Sequence, residues 1–222
     1  MTTTAPSQSS NKGFILLVVA VIIVGIAGVA FLATGRDSAI SGEPVGKAVT
    51  VTGDALPPMP QDVGVSNADN DTAVGQVAPD LELTDFDGNP VSIKNDGRAK
   101  IVYFVAHWCP HCQAEVPLLQ ELISEGKKPA DLDIYAVSTS VNPEAGNYPP
   151  QAWLKSKVKL DATLAADDQA NTALITYGGG GFPFAVYLDP ENKVLFRTSG
   201  ELGKDGIDQA WQQVAATATA SK

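Results

Sequence analysis

The sequence predicts an α/β domain over residues 75–222, its sheet covered by helices on both faces, behind an N-terminal anchor and a tether. Three observations carry this. From Gly75 onward short apolar runs alternate with helical stretches, the pattern of a layered α/β sheet. Both cysteines and both histidines of the 222 residues fall in one string, His107-Trp108-Cys109-Pro110-His111-Cys112, directly after one of those runs. Phe14 to Ala33 is an unbroken stretch of 20 residues with no charged or strongly polar side chain.

Residues 1–13 form a short Ser/Thr-rich tail with a single lysine, Lys12. The apolar stretch over 14–33, at about 1.5 Å per residue, reaches roughly 30 Å, the thickness of a bilayer's hydrocarbon core. A signal peptide has a shorter apolar core, a basic leader and a small-x-small cleavage site. Here none of these is evident, and no cysteine near the end of the run could accept a lipid. An uncleaved single-pass transmembrane anchor is therefore expected. Lys12 on one flank and Arg36 on the other are too evenly matched to orient it. The cysteine string orients it instead: if that thiol pair works as an oxidant, it belongs outside the cytoplasm, where disulfides persist. Residues 34–74 are rich in Gly, Pro, Asp, Ser, Asn and Thr without a sustained period, and include the stiff piece Leu56-Pro57-Pro58-Met59-Pro60. A flexible tether is expected there, since such a composition buries too little apolar surface to offset ordering.

Within the domain, Leu81–Thr84 and Val91–Ile93 flank the turn Asp87-Gly88-Asn89 as two short strands. Lys100–Ala106 is a β-branched and aromatic run suited to a buried central strand. Helix follows from Pro110 through Ile123, stopping near Gly126, and Leu132–Thr139 is a second buried strand. Pro149–Lys155 and Asp167–Tyr177 read as helices, the latter with acidic residues in its first turn. Phe184–Asp189 and Val194–Thr198 pair around Asp189-Pro190-Glu191-Asn192. Asp205–Ala218 closes the domain as an amphipathic helix with Ile207, Trp211, Val214 and Ala218 on one face.

A net charge of −10, with no basic run, excludes a nucleic-acid face. The only intramolecular bridge available is Cys109 to Cys112. Its loop is so short that it removes little unfolded-state entropy, which makes it a poor staple. A bridge that stabilises little is better suited to react, and Cys-X-X-Cys after an apolar strand is a redox motif.

The string Trp108-Cys109-Pro110-His111-Cys112 after a buried strand resembles a thioredoxin-fold oxidoreductase. Gln76-Val77-Ala78-Pro79-Asp80 followed by Leu83-Thr84-Asp85-Phe86-Asp87-Gly88 is similar to the opening of the membrane-anchored TlpA/ResA-like branch, as are Glu115 and Pro117. The resemblance implies a thioredoxin-like fold, a central mixed sheet with helices on both faces. It departs at Tyr103, where close relatives of thioredoxin carry a buried acid or amide. The histidine of the dipeptide is similar to that of DsbA-type oxidants, whereas the layout around it is TlpA-like. By the same resemblance Pro183 is the cis-proline beside the active disulfide, and Phe182 offers backbone for a substrate chain. Trp108 is by itself either a packing aromatic or a lid over the disulfide, and the resemblance implies a substrate-binding role for it. The four glycines Gly178–Gly181 before Phe182 are either a flexible turn or a place of close backbone approach.

Cys109 stands just before the first turn of a helix, where unpaired backbone N–H groups and the helix dipole favour its thiolate. Pro110 suits the first helical position because its missing N–H costs nothing there. His111 adds a positive charge or a hydrogen bond beside the thiolate, which stabilises the reduced state and strengthens the oxidant. Cys112, a turn further on, is the resolving thiol. Glu115 is either a proton relay for Cys112 or an ordinary helix carboxylate, and His107 reads as a surface residue. Cys109, Cys112, His107 and His111 are of the right kind for copper(I) or zinc, but their spacing does not resemble a closed zinc site. No metal and no cofactor is expected. The expected function is extracytoplasmic thiol–disulfide exchange with cysteine-containing protein substrates and a membrane or extracytoplasmic redox partner, leaning to oxidase. The alternatives are a reductase for cytochrome c maturation or other apoprotein thiols and, as a non-enzyme, a copper-handling thiol protein.

Overall fold

The structure, a computed structural model, describes Thr2 and residues 42–220. The expected anchor at 14–33 lies outside the described residues, and no helix among those described is long and apolar enough to cross a membrane. A mixed sheet organises the domain. Its strands are β1 (Thr50–Thr52), β2 (Asp80–Thr84), β3 (Pro90–Ile93), β4 (Ala99–Val105), β5 (Leu132–Ser138), β6 (Thr163–Ala166), β7 (Phe184–Leu188) and β8 (Val194–Ser199), in the order β1-β2-β6-β5-β4-β7-β8 with β3 paired to β2. β5 runs parallel to β4 and β6, while β7 runs antiparallel to β4 and β8.

Every residue of β4 is buried, Lys100 included, as the β-branched and aromatic run 101–105 demands of a strand covered on both faces. Its side chains alternate between two cores. Ile101, Tyr103 and Val105 pack with Val116 and Leu119 of helix α1 (Pro110–Ser124) and with Ile207, Trp211 and Val214 of helix α4 (Gly203–Ala220). Val102 and Phe104 face Leu81, Ile93, Tyr177 and Val186 on the other side.

That second core corrects the expected tether. From Gly42 to Val74 the chain is a packed strap. Thr50–Thr52 pairs with β2, Leu56, Met59 and Ala73 are buried, and the N–H groups of Leu56 and Met59 donate to the carbonyls of Thr176 (2.9 Å) and Gly178 (2.8 Å). Its apolar residues follow no period because each fills a separate gap, and so a reading of periodicity passes over them. The strap is fastened by an ion pair between Asp71 and Arg197, both side chains fully buried, with Nη2–Oδ1 2.6 Å and Nε–Oδ2 2.8 Å. Arg197 also donates to the carbonyls of Pro57 and Tyr177. Burial alone would raise the Asp71 carboxyl. The bonds from Arg197, the Ala73 N–H and Ser66 outweigh it and hold Asp71 below the usual carboxylate value.

Two expected helices also differ. Asp167 does not enter a helix: it is buried, and its carboxylate accepts the N–H groups of Ala173 (2.9 Å) and Leu174 (3.1 Å), while Asn171 turns left-handed at φ +58. Helix α3 is thereby confined to Thr172–Thr176. The helix expected from Pro149 becomes a π-helical segment, α2, over Ala152–Val158.

Candidate active site

β4 carries the chain into His107, Trp108 and Cys109. The Cys109 N–H donates to Ala106 (3.0 Å) and its carbonyl accepts from Gln113 N, so Cys109 is the N-cap residue of α1 with Pro110 at the first position. The helix start leaves N–H groups unpaired beside the Cys109 sulfur. Both thiols are unbridged. Both are buried, but Cys109 keeps 7% exposure whereas Cys112 has none, so only Cys109 touches the surface. Burial pushes the Cys112 thiol well above its ordinary value, the Ala106 backbone offsetting part of this.

The Phe182–Pro183 peptide is cis, and the Cys109 thiol lies 3.9 Å from the Phe182 carbonyl oxygen. The Phe182 ring meets Trp108 edge-on at 6.0 Å, and the Trp108 Nε1–H donates to Ser140 O at 2.7 Å. Trp108 thus packs, partly exposed, against the same Phe182 whose carbonyl faces the sulfur, and is tied to the loop after β5. Cys109, Trp108, Phe182 and Pro183 come together as one surface.

His111 points outward, to Glu201. Its Nδ1 pairs with Glu201 Oε1 on the exposed loop between β8 and α4. Glu201 is absent from the sequence reading, since nothing local marks a lone exposed glutamate as a neighbour of a residue 90 positions away. Glu115 is buried and caps α4: Oε2 accepts the N–H groups of Leu202 and Gly203. Burial raises its carboxyl, and those two N–H groups pull it partly back. Tyr103 lies in the same buried region, where its hydroxyl accepts from Trp211 Nε1 at 2.9 Å.

His107 is the clearest correction. It is fully buried: its Nε2 accepts from Asn142 N–H (3.1 Å), which leaves Nδ1–H to donate to Gly146 O at 2.9 Å. Both ring nitrogens hold backbone, so His107 positions the 142–146 loop and has no nitrogen for a metal. Among the described residues no group of three or more His, Cys, Asp or Glu side chains gathers around a metal position.

Comparisons with known proteins add relatives. A family model described as "AhpC/TSA family" matches residues 74–196. The chain is 26% identical over 136 residues to the thiol-disulfide oxidoreductase ResA of Bacillus thuringiensis (strain Al Hakam), covering 61% of this chain and 75% of that protein. It is 30% identical over 112 residues to the thiol:disulfide interchange protein HelX of Rhodobacter capsulatus, covering 50% and 58%. In fold it is similar to StoA from Bacillus subtilis, with a TM-score of 0.50 at 18% identity over 61% of this chain and 98% of that one.

Proposed function

This chain belongs to the AhpC/TSA family and is a thioredoxin-like thiol–disulfide oxidoreductase similar to ResA, and on that premise we propose that it exchanges a Cys109–Cys112 disulfide with protein cysteines, chiefly to oxidise them. The observation that supports this most is the asymmetry of the pair, with Cys109 at the edge of the core and Cys112 wholly inside it. Cys109 stands at the start of α1, 3.9 Å from the Phe182 carbonyl, and Cys112 lies beneath it.

A substrate thiolate attacks Cys109 Sγ, the Cys109–Cys112 bond breaks, and Cys112 leaves with the electron pair. Its burial draws a proton onto it. A second substrate thiolate attacks the substrate sulfur of the mixed disulfide, the substrate's own disulfide forms, and Cys109 leaves as a thiolate that the helix start stabilises. Two electrons have passed from substrate to enzyme, and a disulfide-bearing redox partner takes them on. Pro110 sets the helix start, the Phe182 backbone and Pro183 guide the substrate chain, and Trp108 shields the sulfurs. Glu115 holds α4 against α1. The domain would face the extracytoplasmic side on its 14–33 anchor.

The oxidase direction rests on the histidine between the two cysteines, His111. Its pairing with Glu201 favours a second reading, because the carboxylate offsets part of the charge that would strengthen the oxidant. In that reading the reduced Cys109–Cys112 dithiol passes its two electrons to apoprotein disulfides, those of cytochrome c maturation among them, and is itself left as the disulfide. The reduction potential of the full chain decides: about −120 mV supports the oxidase, whereas about −270 mV overturns it in favour of the reductase. Cys112→Ser should accumulate mixed disulfides through Cys109. Membranes yielding none would count against the exchange mechanism itself.

A further inference from the structure

His107 takes no part in the exchange chemistry, yet its ring is wholly buried and commits both nitrogens to the loop between β5 and α2. Among the described residues, the hydrogen bonds that join 141–146 to the rest of the domain both end on this ring: Asn142 N–H to Nε2 at 3.1 Å, and Nδ1–H to Gly146 O at 2.9 Å. The other bonds of that stretch stay inside it, from Glu144 N–H to Asn142 Oδ1 and from Ala145 N–H to Asn142 O. Ser140 and Asn147 bracket the loop in left-handed conformations, φ +50 and +59, which residues with a Cβ keep only when their surroundings hold them. Ser140 also ties the loop to the site, since its carbonyl accepts the Trp108 indole N–H at 2.7 Å and Trp108 meets the Phe182 ring.

The two backbone groups on the ring have fixed senses. Asn142 N–H can only donate and Gly146 O can only accept, so a single neutral tautomer satisfies both. A protonated ring is a donor at both nitrogens: it meets the Asn142 N–H donor to donor and leaves that N–H without an acceptor. It also brings a charge to a place with no exposure and no carboxylate bonded to it. The elements packed around it supply none. Tyr148 covers the ring at 6.0 Å, Gln113 of α1 donates to the His107 carbonyl, Lys157 of α2 bonds the Asn147 side chain, and Glu144 is exposed on the loop itself. Behind Ser140, the buried Asp167, its carboxyl raised by burial, reaches the loop only through Thr139 and Asn171.

We infer that His107 is a positioning residue with a pH response built in: the neutral ring holds the 140–147 loop and, through Ser140, the Trp108 indole against Phe182, and the protonated ring lets both go. The loop device does not depend on the exchange reading, whereas its effect on the rate at Cys109 rests on it.

The test uses the full chain and follows exchange of the indole N–H groups with solvent by NMR. Three tryptophans give three signals, and that of Trp108 is the one lost in Trp108→Phe. From about pH 7.5 to about pH 4.5, which brackets ordinary imidazole titration, opening at Trp108 should rise at least about tenfold beyond intrinsic exchange. In His107→Gln, which keeps an acceptor and a donor but does not titrate, the rise should vanish. A rise that persists there assigns the acid response to another group, Asp167 first, and overturns the inference, as does a wild-type Trp108 indifferent to pH. Should that variant not fold, the wild type decides. Trp108 opening and the His107 ring titration, the one that persists in His111→Ala, must share one midpoint, and separate midpoints overturn the inference. The oxidised chain and a cysteine peptide then read the consequence: the rate of attack on Cys109 in wild type, divided by that in His107→Gln, should fall at least about threefold over the same range. A constant ratio overturns the positioning role and leaves exchange intact. No reaction in either chain at any pH overturns the exchange reading and leaves the loop device standing.

Discussion

Asp71→Asn removes one half of an ion pair whose side chains are both wholly withdrawn from solvent. Asparagine keeps the shape and one acceptor, so Arg197 retains its carbonyl partners Pro57 (2.9 Å) and Tyr177 (3.1 Å) but loses its ion-pair partner. Breaking a buried pair from one side costs about 3–5 kcal/mol, because a charge is left uncompensated. Against a total stability of about 5–15 kcal/mol this is a large share. At about 2–4 °C per kcal/mol for a domain of this size, the melting temperature should fall by about 6–20 °C. Urea unfolding at neutral pH measures the loss, and Asp71→Asn with Arg197→Met should regain part of it by removing the orphaned charge. The folded Asp71 carboxyl lies below its unfolded value, so its contribution is present above the unfolded value and disappears as pH falls through the folded one. The difference between wild type and variant must therefore shrink in acid. A loss under about 1 kcal/mol, the scale of a surface pair, would refute the claim that the strap is clamped by this bridge.

Trp211→Phe deletes the donor to the Tyr103 hydroxyl, and leaving that buried oxygen short of a partner should cost about 1–3 kcal/mol in urea unfolding. Glu115→Gln keeps acceptors for Leu202 and Gly203 while removing a carboxyl whose folded value is raised by burial. The wild-type carboxyl favours folding below its unfolded value and ceases to as pH rises through the folded one. The Gln variant should therefore gain in relative stability from acid towards neutral pH, read from urea midpoints across the range. A flat difference would mean the carboxyl is solvated.

β4, α1 and α4 were legible because each has a strong signature: an unbroken apolar run, a proline-started helix after a cysteine, and an apolar stripe at helical spacing. β6 (Thr163–Ala166) is four residues of Thr, Leu and Ala, with neither the length nor the β-branching that marks a strand, and only its parallel pairing with β5 makes it one. Asp167 looked like a first-turn helix acid, but its carboxylate caps α3 from outside. The cysteine pair, Phe182 and Trp108 could be read from a contiguous motif and a family pattern. Glu201 and the strap could not, since their roles arise from partners 90 and 126 residues away and not from local composition. His107 escaped because polarity alone suggests exposure, and only a backbone donor and a backbone acceptor on either side permit its burial.

The depth of Cys112 has a consequence for proton accounting. A sulfur that stays protonated after the disulfide opens takes up a proton with the incoming electron pair. Each such proton makes a two-electron couple about 30 mV more reducing per unit rise in pH. The electron affinity of the pair is therefore tied to the acidity of the medium around the domain. In a compartment of variable pH, acidification would make the same disulfide the stronger oxidant.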